Sequence, residues 1–235
     1  MVDPYAGRPY TVLNCCMSLD GYLDDSSEQR LVLSGPADLD RVDQLRADSD
    51  AILVGAATVR SDNPRLLVRD PARVQERLAA GRPAGPVKVT VTGLAKLDPE
   101  ADFFTAGDVD ALVYCASETV PAAEEALGAL ATVVDCGRPV RMRRLVEDLH
   151  ARGVRRLLVE GGGTVLSQFL ADGLADELQV AVAPFFVGDR GARRFVDDGA
   201  YPWTAARRAR LAETRVLDDV VLLRYALSDR FEAEG

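Results

Sequence analysis

The chain is poor in the residues that build metal sites and nucleophilic triads. In 235 residues it has one histidine, His150, and four cysteines, Cys15, Cys16, Cys115 and Cys136. The cysteines form no C-x-x-C pair, so the sequence predicts no metal site. A lone histidine in a charged helical segment also leaves little for a Ser-His-Asp or Cys-His mechanism. Three cysteines fall in or at the end of apolar, strand-like runs, which predicts buried thiols.

Long apolar runs are missing as well. None reaches the roughly 20 residues that a membrane-spanning helix needs, and the start of the chain lacks the apolar centre of a signal peptide. A net charge of −9 argues against a nucleic-acid-binding surface. We therefore expect a cytoplasmic protein that binds neither membrane nor nucleic acid. Its 48% of hydrophobic residues suffice for a substantial core, in one domain or two small lobes.

Apolar runs typical of strands alternate with helical patterns, which indicates βαβ units around a largely parallel sheet. The predicted strands are Tyr10–Met17, Ala51–Val54, Val87–Val91, Ala111–Cys115, Thr132–Val134 and Arg156–Val159, and the predicted helices are Ala37–Ala47, Ala72–Ala80, Ala122–Leu130, Met142–Arg152 and Gly163–Ala171. No long helix separates the last two runs, Glu177–Val182 and Val220–Tyr225. They are predicted to be antiparallel strands at one edge of a mixed, mainly parallel α/β sheet flanked by helices.

Three consecutive glycines, Gly161, Gly162 and Gly163, lie between a predicted strand and a predicted helix. Glycines let the backbone approach a ligand closely, and the N–H groups at a helix start favour phosphate oxygens. The sequence therefore predicts a nucleotide site here, with Glu160 at its mouth. A tight connection without a ligand is the alternative interpretation.

Two further polar turns follow predicted strands: Met17-Ser18-Leu19-Asp20-Gly21 and the segment from Val54 to Leu66. Ligands in an open α/β sheet bind beyond the carboxyl ends of the strands, so we expect these turns and the glycine turn to converge on one crevice. Each turn alone also fits an ordinary role. Asp20-Gly21 fits a plain turn, and Gly55 to Thr58 fits a helix start.

Six motifs, in this order, resemble the reductase domain of bifunctional riboflavin-biosynthesis proteins, a relative of the dihydrofolate reductase fold. They are Met17-Ser18-Leu19-Asp20-Gly21, Leu45-Arg46-Ala47, Val54-Gly55-Ala56-Ala57-Thr58-Val59-Arg60, Asp62-Asn63-Pro64-Arg65-Leu66, Val159-Glu160-Gly161-Gly162-Gly163-Thr164 and Gly173-Leu174-Ala175-Asp176-Glu177-Leu178. The resemblance covers nearly the whole chain. It implies a single reductase domain over residues 1–235, usually a homodimer, without the zinc deaminase domain that often precedes it.

The resemblance implies NADPH-dependent reduction of 5-amino-6-(5-phosphoribosylamino)uracil to 5-amino-6-(5-phosphoribitylamino)uracil. A hydride would reach C1′ of a ring-opened imine, so the protein must mainly orient two anionic ligands and exclude water. One alternative is a reductase of the same fold that acts on the 2,5-diamino precursor or on another heterocycle of a secondary pathway. The non-enzymatic alternative is a catalytically silent, NADPH-binding dimer.

The resemblance also assigns residues to the cofactor. Thr58 and Asp62 match cofactor-contacting positions, Thr92 and Gly93 fall at the adenosine end, and the glycine turn with the following helix start would cradle the pyrophosphate. The full predicted set is Cys16, Gly55, Thr58, Asp62, Thr92, Gly93, Gly161, Gly162, Gly163, Thr164, Val165, Leu166 and Ser167. Lys88, Thr92 and Lys96 are alternatives for binding the 2′-phosphate that distinguishes NADPH from NADH.

Two arginines are candidates for the substrate's 5′-phosphate, which suits a planar and permanently charged fork. The resemblance places Arg46 and Arg69 at substrate-contacting positions, with Leu66 beside them. The alternative for Arg69 is a solvated basic loop that it would form with Arg65 and Arg73.

Two carboxylates are the predicted catalytic residues, Glu160 and Asp20. Glu160 could accept hydrogen bonds from the ribose chain or from the aminopyrimidine, and its alternative role is to cap its own loop. A proton must reach the substrate nitrogen when the hydride arrives. Asp20, Glu160 or water could deliver it.

One loop departs from the family pattern. Where family members commonly carry a Gly-Glu-Ser-x-Trp-Ile-Thr-Ser-like segment that contacts both ligands, this chain reads Ser27-Glu28-Gln29-Arg30-Leu31-Val32-Leu33-Ser34. Arg30 and Val32 replace a small hydroxyl residue and an aromatic one. Arg30 is therefore predicted either to add a contact to the substrate phosphate or to mark a changed substrate.

Overall fold

The structure is a computed structural model that describes residues 5–27 and 31–231. Its strands are β1 (Tyr10–Ser18), β2 (Ala51–Gly55), β3 (Val87–Thr92), β4 (Ala111–Cys115), β5 (Thr132–Asp135), β6 (Arg156–Gly161), β7 (Glu177–Ala183), β8 (Arg210–Leu217) and β9 (Val220–Ala226). Its α-helices are α1 (Pro36–Asp48), α2 (Ala56–Asp62), α3 (Pro71–Ala79), α4 (Asp102–Thr105), α5 (Val120–Leu127), α6 (Met142–Ala151) and α7 (Gly163–Ala171). Among the described residues, no helix is long and apolar enough to cross a bilayer.

The chain divides into two compact units. The first contains Asp43–Leu158 together with the N-terminal residues up to Tyr10, and the second contains Thr11–Val42 and the chain from Val159 onward. The prediction of a single reductase domain over residues 1–235 stays a prediction.

The first unit is built on four parallel strands in the order β5-β4-β3-β2. Every residue of β2 and β4 is buried, as expected of parallel strands that are covered on both faces. Their sequences are accordingly continuous apolar runs. Helix α6 buries Met142, Leu145, Val146 and Leu149, a spacing that places all four on one face of a helix.

The second unit contains four strands in the order β1-β7-β9-β8. Strand β1 is parallel to β7, with Ser18 opposite Ala183, whereas β9 runs antiparallel to both β7 and β8. The predicted combination of parallel strands with antiparallel C-terminal strands is thus confirmed. The register between β8 and β9 shifts between Leu211 and Glu213.

The predicted elements are all present, with bounds that differ by one or two residues except at the end of α5. That helix ends at Leu127, and a 3₁₀ turn, Gly128–Leu130, completes the predicted span. Helix α4 and strand β8 were not predicted, and a helix start at α2 was only the alternative interpretation of Gly55 to Thr58. Most of β8 is exposed, so it lacks the apolar face by which a strand is recognised.

A buried arginine ties α1 to two strands of the second unit. Arg41 donates to Asp38 Oδ1 from Nη2 at 2.7 Å, to Asn14 Oδ1 of β1 at 2.9 Å and to Gln179 Oε1 of β7 at 2.5 Å. Gln179 in turn donates to Glu177 at 2.6 Å. A guanidinium can be buried only when its donors are satisfied, as they are here by the side chains of Asp38, Asn14 and Gln179.

Asp176, in the turn between α7 and β7, has no exposed surface. Its Oδ2 accepts a hydrogen bond from the Thr11 N–H at 2.9 Å, and its Oδ1 accepts one from the Ser228 hydroxyl at 2.6 Å. Its own N–H donates to the Thr11 carbonyl at 2.9 Å. This carboxylate therefore joins the starts of β1 and β7 to the residues that follow β9.

We predict that Asp176→Ala lowers the free energy of unfolding by about 3 kcal/mol, because a buried N–H and a hydroxyl lose their acceptor. Urea denaturation followed by circular dichroism measures the change. Asp172→Ala is the control, since Asp172 is exposed at the C-terminal end of α7 and should change stability by less than about 0.5 kcal/mol. Equal effects of the two substitutions would contradict the role given to Asp176.

Candidate functional site

The glycine turn of the second unit joins β6 to α7. Gly161 ends the strand with φ +117°, a value that side-chain-bearing residues rarely adopt, and its peptide bond to Gly162 is cis. Gly162 is the N-cap of α7, and no side chain caps that helix start. Backbone N–H groups at an uncapped helix start favour phosphate oxygens. The turn is thus suited to the predicted pyrophosphate.

The first and third glycines of this turn have different surroundings. A Cβ on Gly163 would lie 2.5 Å from the carbonyl oxygen of Arg194 and 3.6 Å from that of Phe195. A Cβ on Gly161 would approach only Leu166 Cδ1, at 4.0 Å. Glycine is required at 163 because another backbone segment packs there, whereas a Cβ on Gly161 would make only an ordinary van der Waals contact.

The start of α7 presents few side chains to a ligand. Thr164 is exposed, but Val165, Leu166 and Ser167 are buried. The Ser167 hydroxyl accepts a hydrogen bond from the Asp197 N–H at 2.8 Å. Of the residues predicted to follow the glycine turn, only Thr164 can offer an exposed hydroxyl to phosphate, and the buried three can contribute backbone alone.

Asp20, at the end of β1, holds the turn that follows β7. Its Oδ1 accepts hydrogen bonds from the Ser18 hydroxyl at 2.6 Å and the Val187 N–H at 3.0 Å, and its Oδ2 accepts one from the Gly188 N–H at 2.8 Å. These bonds, the Ser18 hydroxyl foremost, lower the pKa of Asp20 to about 2. Asp20 is therefore ionised near neutral pH, which does not fit its predicted role as a proton donor.

Arg193, Arg194 and Phe195, in the segment after β7, contact the residues after β1. Leu23 N donates to the Arg193 carbonyl at 2.8 Å, and Phe195 N donates to the Gly21 carbonyl at 2.9 Å. The Arg194 guanidinium lies over the Tyr22 ring, 4.9 Å from its centroid. The Arg194 carbonyl of this segment is the group that a Cβ on Gly163 would meet, so the segment packs against the glycine turn. Glu160, half-buried, is the residue of β6 that precedes Gly161.

The predicted cofactor residues of the first unit lie at the ends of β2 and β3. Gly55 is the N-cap of α2, Thr58 is half-buried in that helix, and Asp62 Oδ1 accepts a hydrogen bond from the Ser61 hydroxyl at 2.5 Å. Gly93 is exposed, and a Cβ there would meet nothing within 4 Å. The Thr92 hydroxyl accepts hydrogen bonds from two N–H groups of its own turn, at 3.2 and 3.1 Å.

Lys88 is excluded as a ligand of the 2′-phosphate. Its side chain is 1% exposed, and Nζ donates to the carbonyl oxygens of Phe103 at 3.0 Å and Ala106 at 2.5 Å. Burial lowers the pKa of Lys88 to about 8. The ammonium group fixes α4 against β3 instead. Of the two lysines proposed from the sequence, Lys96 is the exposed one.

The predicted substrate arginines lie at α1 and the segment that precedes α3. Arg46 Nη1 donates to the Leu67 carbonyl at 3.2 Å, beside a buried Leu66 that has φ +53°. Arg69 Nε lies 3.5 Å from Asp43 Oδ1, and the Arg69 side chain remains 55% exposed. Asp43 was missed by the sequence analysis. Its position one turn before Arg46 on the same helix was the available signal.

The structure groups the predicted residues by unit. Asp20, Glu160 and the glycine turn belong to the second unit, and the arginines Arg46 and Arg69 belong to the first. Their convergence on one crevice stays a prediction.

Cys16 is half-buried on β1, and burial raises the pKa of its thiol to about 11. Arg30 lies outside the described residues. Among those residues, no group of three or more His, Cys, Asp or Glu side chains could hold a metal ion.

Comparison with known proteins identifies relatives over nearly the whole chain. The family model described as the RibD C-terminal domain matches residues 9–223. A 2,5-diamino-6-ribosylamino-4(3H)-pyrimidinone 5′-phosphate reductase from Methanothermobacter thermautotrophicus is 37% identical over 223 residues, which cover 94% of this chain and 99% of the relative. The protein of the same name from Archaeoglobus fulgidus is 35% identical, covering 83% of this chain and 89% of its own. The resemblance found in the sequence motifs is thereby confirmed.

Solved structures share the fold. RibD from Acinetobacter baumannii superposes with a TM-score of 0.76 at 25% identity and covers 94% of this chain, which spans 58% of the Acinetobacter chain. A pyrimidine reductase-like protein from Corynebacterium diphtheriae has a TM-score of 0.76 at 20% identity, with 96% and 95% of the two chains covered. These neighbours confirm the predicted fold class, the dihydrofolate-reductase-like mixed sheet.

We predict that Asp20→Asn accelerates hydrogen exchange of the Val187 and Gly188 amides by about tenfold, because the charged acceptor of both N–H groups is lost. Amide exchange followed by NMR measures this. Asp198→Asn, at an exposed position, is the charge-matched control. The folded-state pKa of Asp20 lies below its unfolded value. In the wild type, the stabilisation by its hydrogen bonds to Val187 and Gly188 is therefore fully present above about pH 4 and is lost as the pH falls through about 2. Unchanged exchange in Asp20→Asn would contradict the role of Asp20 in holding the turn after β7.

Proposed function

This chain belongs to the RibD C-terminal domain family, and we propose that it is an NADPH-dependent reductase in riboflavin biosynthesis. In this proposal it converts the ribosylamino group of a phosphorylated pyrimidine into a ribitylamino group. The observation that carries the proposal is the pair of relatives matched over most of their length, both named as reductases of such a compound.

The preferred substrate in this proposal is 2,5-diamino-6-ribosylamino-4(3H)-pyrimidinone 5′-phosphate, the compound in the names of those two relatives. It was the alternative in the sequence analysis. The uracil that was preferred there is the second candidate, because a structural neighbour from Thermotoga maritima is named a diaminohydroxyphosphoribosylaminopyrimidine deaminase/5-amino-6-(5-phosphoribosylamino)uracil reductase. The two compounds differ by an amino or an oxo group on the pyrimidine ring. Discrimination between them therefore rests on hydrogen bonds to that group.

The glycine turn supports NADPH as the cofactor. The uncapped start of α7 and the exposed Thr164 suit an anionic pyrophosphate. When bound, NADPH would supply the hydride that C1′ of the ring-opened imine accepts, while the imine nitrogen takes a proton and C=N becomes CH–NH.

The chain's own residues have separate tasks in this proposal. Arg46 and Arg69 bind the 5′-phosphate. Glu160 accepts hydrogen bonds from the substrate's hydroxyl or amino groups. Asp20, ionised near neutral pH, fixes the turn after β7. The proton for the imine nitrogen then comes from Glu160 or from water.

The direct test mixes purified protein and NADPH with each of the two pyrimidines, and it follows nicotinamide absorbance and product mass. We expect substrate-dependent oxidation with a product heavier by two hydrogens, and a higher kcat/KM for the diamino compound. A higher kcat/KM for the uracil would select the second candidate. NADPH binding without oxidation by either compound would refute the reductase proposal.

We also propose that the protein works as a homodimer in the cytoplasm, as the family resemblance implies. Light scattering after size-exclusion chromatography tests the assembly. A mass of about one chain at micromolar concentration would refute the dimer.

We predict that Glu160→Gln raises KM for the pyrimidine by about tenfold, because one carboxyl oxygen that accepts substrate hydrogen bonds becomes an NH2 donor. The dissociation constant for NADPH should stay within about twofold, since the assigned contact is to substrate alone. Steady-state kinetics and NADPH fluorescence measure the two quantities. Glu147→Gln, on an exposed part of α6, is the control. Unaltered kinetics of Glu160→Gln would remove Glu160 from the site.

We predict that Gly163→Ala weakens NADPH binding by about tenfold, because the Arg194 carbonyl and the start of α7 must move apart. Fluorescence titration measures this. Gly85→Ala is the control, because its Cβ would meet only Val109 Cγ1 at an ordinary 3.6 Å. If Gly163→Ala lowers the melting temperature but binds NADPH like wild type, α7 does not hold the cofactor.

A further inference from the structure

Asp43 is a buried carboxylate with a full set of donors. Its side chain is 3% exposed. Oδ1 accepts a hydrogen bond from the Arg69 N–H at 2.7 Å, and Oδ2 accepts one from the Asp70 N–H at 3.1 Å and one from Arg73 Nη1 at 3.0 Å. Burial raises the pKa of Asp43, but these donors outweigh burial and hold the pKa below its ordinary value. The carboxylate is therefore charged near neutral pH.

The two arginines beside Asp43 differ in what they present to solvent. The Arg73 side chain is 15% exposed, and its Nε donates to Gln44 of α1 at 2.8 Å. Arg69 is 55% exposed while its Nε lies 3.5 Å from Asp43 Oδ1. Arg73 is thus fixed to α1, whereas Arg69 is oriented by Asp43 and remains accessible to an anion.

The last turns of α1 hold the whole segment from Leu66 to Asp70. Arg46 binds the Leu67 carbonyl, and Asp43 binds the N–H groups of Arg69 and Asp70. Leu66 has φ +53°, a left-handed conformation that persists in a branched residue only when its surroundings impose it. The direction of the Arg69 side chain therefore depends on contacts made by α1.

We propose that Asp43 is the positioning residue that directs Arg69 toward the phosphate of the substrate. The inference rests on the proposed function and on the assignment of the 5′-phosphate to Arg69. In it, Asp43 contacts neither substrate nor cofactor. Its charge holds the backbone and Nε of Arg69, so that the fork meets the phosphate without a further loss of side-chain freedom.

The test compares the pyrimidine substrate with its analogue that lacks the 5′-phosphate. Asp43→Asn should raise KM for the phosphorylated compound by about tenfold and leave kcat within about twofold, because orientation for binding is lost and chemistry is not. The analogue should be reduced with kcat/KM within about twofold of wild type, since it has no group for Arg69 to bind. A merely structural role would lower kcat/KM for both compounds alike.

A double-mutant cycle with Arg69→Ala measures the coupling between Asp43 and Arg69. Asp43→Asn should have no effect beyond about twofold in the Arg69→Ala background, because both changes remove the same contact. Asp70→Asn is the charge-matched control, since its side chain caps α3 by accepting a hydrogen bond from the Ala72 N–H at 2.7 Å, a role that Asn fills equally well. Additive losses in the double variant would overturn the inference.

The outcomes for the inference and for the proposed function are distinct. If wild type reduces neither compound, the proposed function fails. If wild type prefers the phosphorylated compound, and this preference disappears in Arg69→Ala but survives in Asp43→Asn, the inference alone fails. Should Asp43→Asn not show a cooperative melt, Asp43→Ser, whose hydroxyl still accepts one backbone N–H, is measured in the same way with the same expectation.

Discussion

Carboxylates that accept hydrogen bonds from backbone N–H groups far along the chain organise both units. A charged acceptor strengthens such a bond, and the buried carboxylates of Asp43 and Asp176 in turn require donors. The contacts of Asp20 and Asp43 also fix loop backbone that pairs with no strand or helix. The contacts are those of Asp176 with Thr11, Asp20 with Val187 and Gly188, Asp50 with Arg155 and Arg156, and Asp43 with Arg69 and Asp70.

The segments that these carboxylates hold lie next to the ends of strands and helices, where the proposed ligand contacts also lie. Asp20 follows β1 and holds the turn after β7, while Asp43 lies in α1 and holds the segment before α3. A loop that is held in this way presents its outward groups in one arrangement before a ligand arrives, which reduces the entropy lost on binding. Glycines at the β6–α7 turn act differently. They leave space for backbone, and at Gly163 that space is already filled by the Arg194 carbonyl.

The strands of the parallel sheet could be predicted because burial on both faces leaves an uninterrupted apolar run, as in β2 and β4. The glycine turn could be predicted because a strand, three glycines and a helix occur in sequence. Strand β8 could not, since its mostly exposed side chains leave no apolar face. Asp43 was missed because its role depends on partners far along the chain, at Arg69, Asp70 and Arg73. A sequence does not show which N–H groups will face a carboxylate.

Residue type alone also misled the sequence analysis about charge. Lys88 was one of three alternatives for binding the 2′-phosphate, but its ammonium group donates to two carbonyl oxygens. Asp20 was a plausible acid as a carboxylic acid near the predicted crevice, but three donors keep it ionised. In both cases the hydrogen bonds that the charged group already makes within the protein determine whether it can bind a ligand or donate a proton.

The state of the cysteines has a practical consequence for spectroscopy. Burial raises the pKa of Cys15, Cys115 and Cys136, and raises that of Cys16 to about 11. Since the thiolate is the reactive form, maleimide reagents should modify these four side chains slowly at neutral pH. One cysteine introduced on the surface of each unit would then carry a fluorophore without removal of the native thiols. Energy transfer between two such labels could follow the distance between the units while ligands are added.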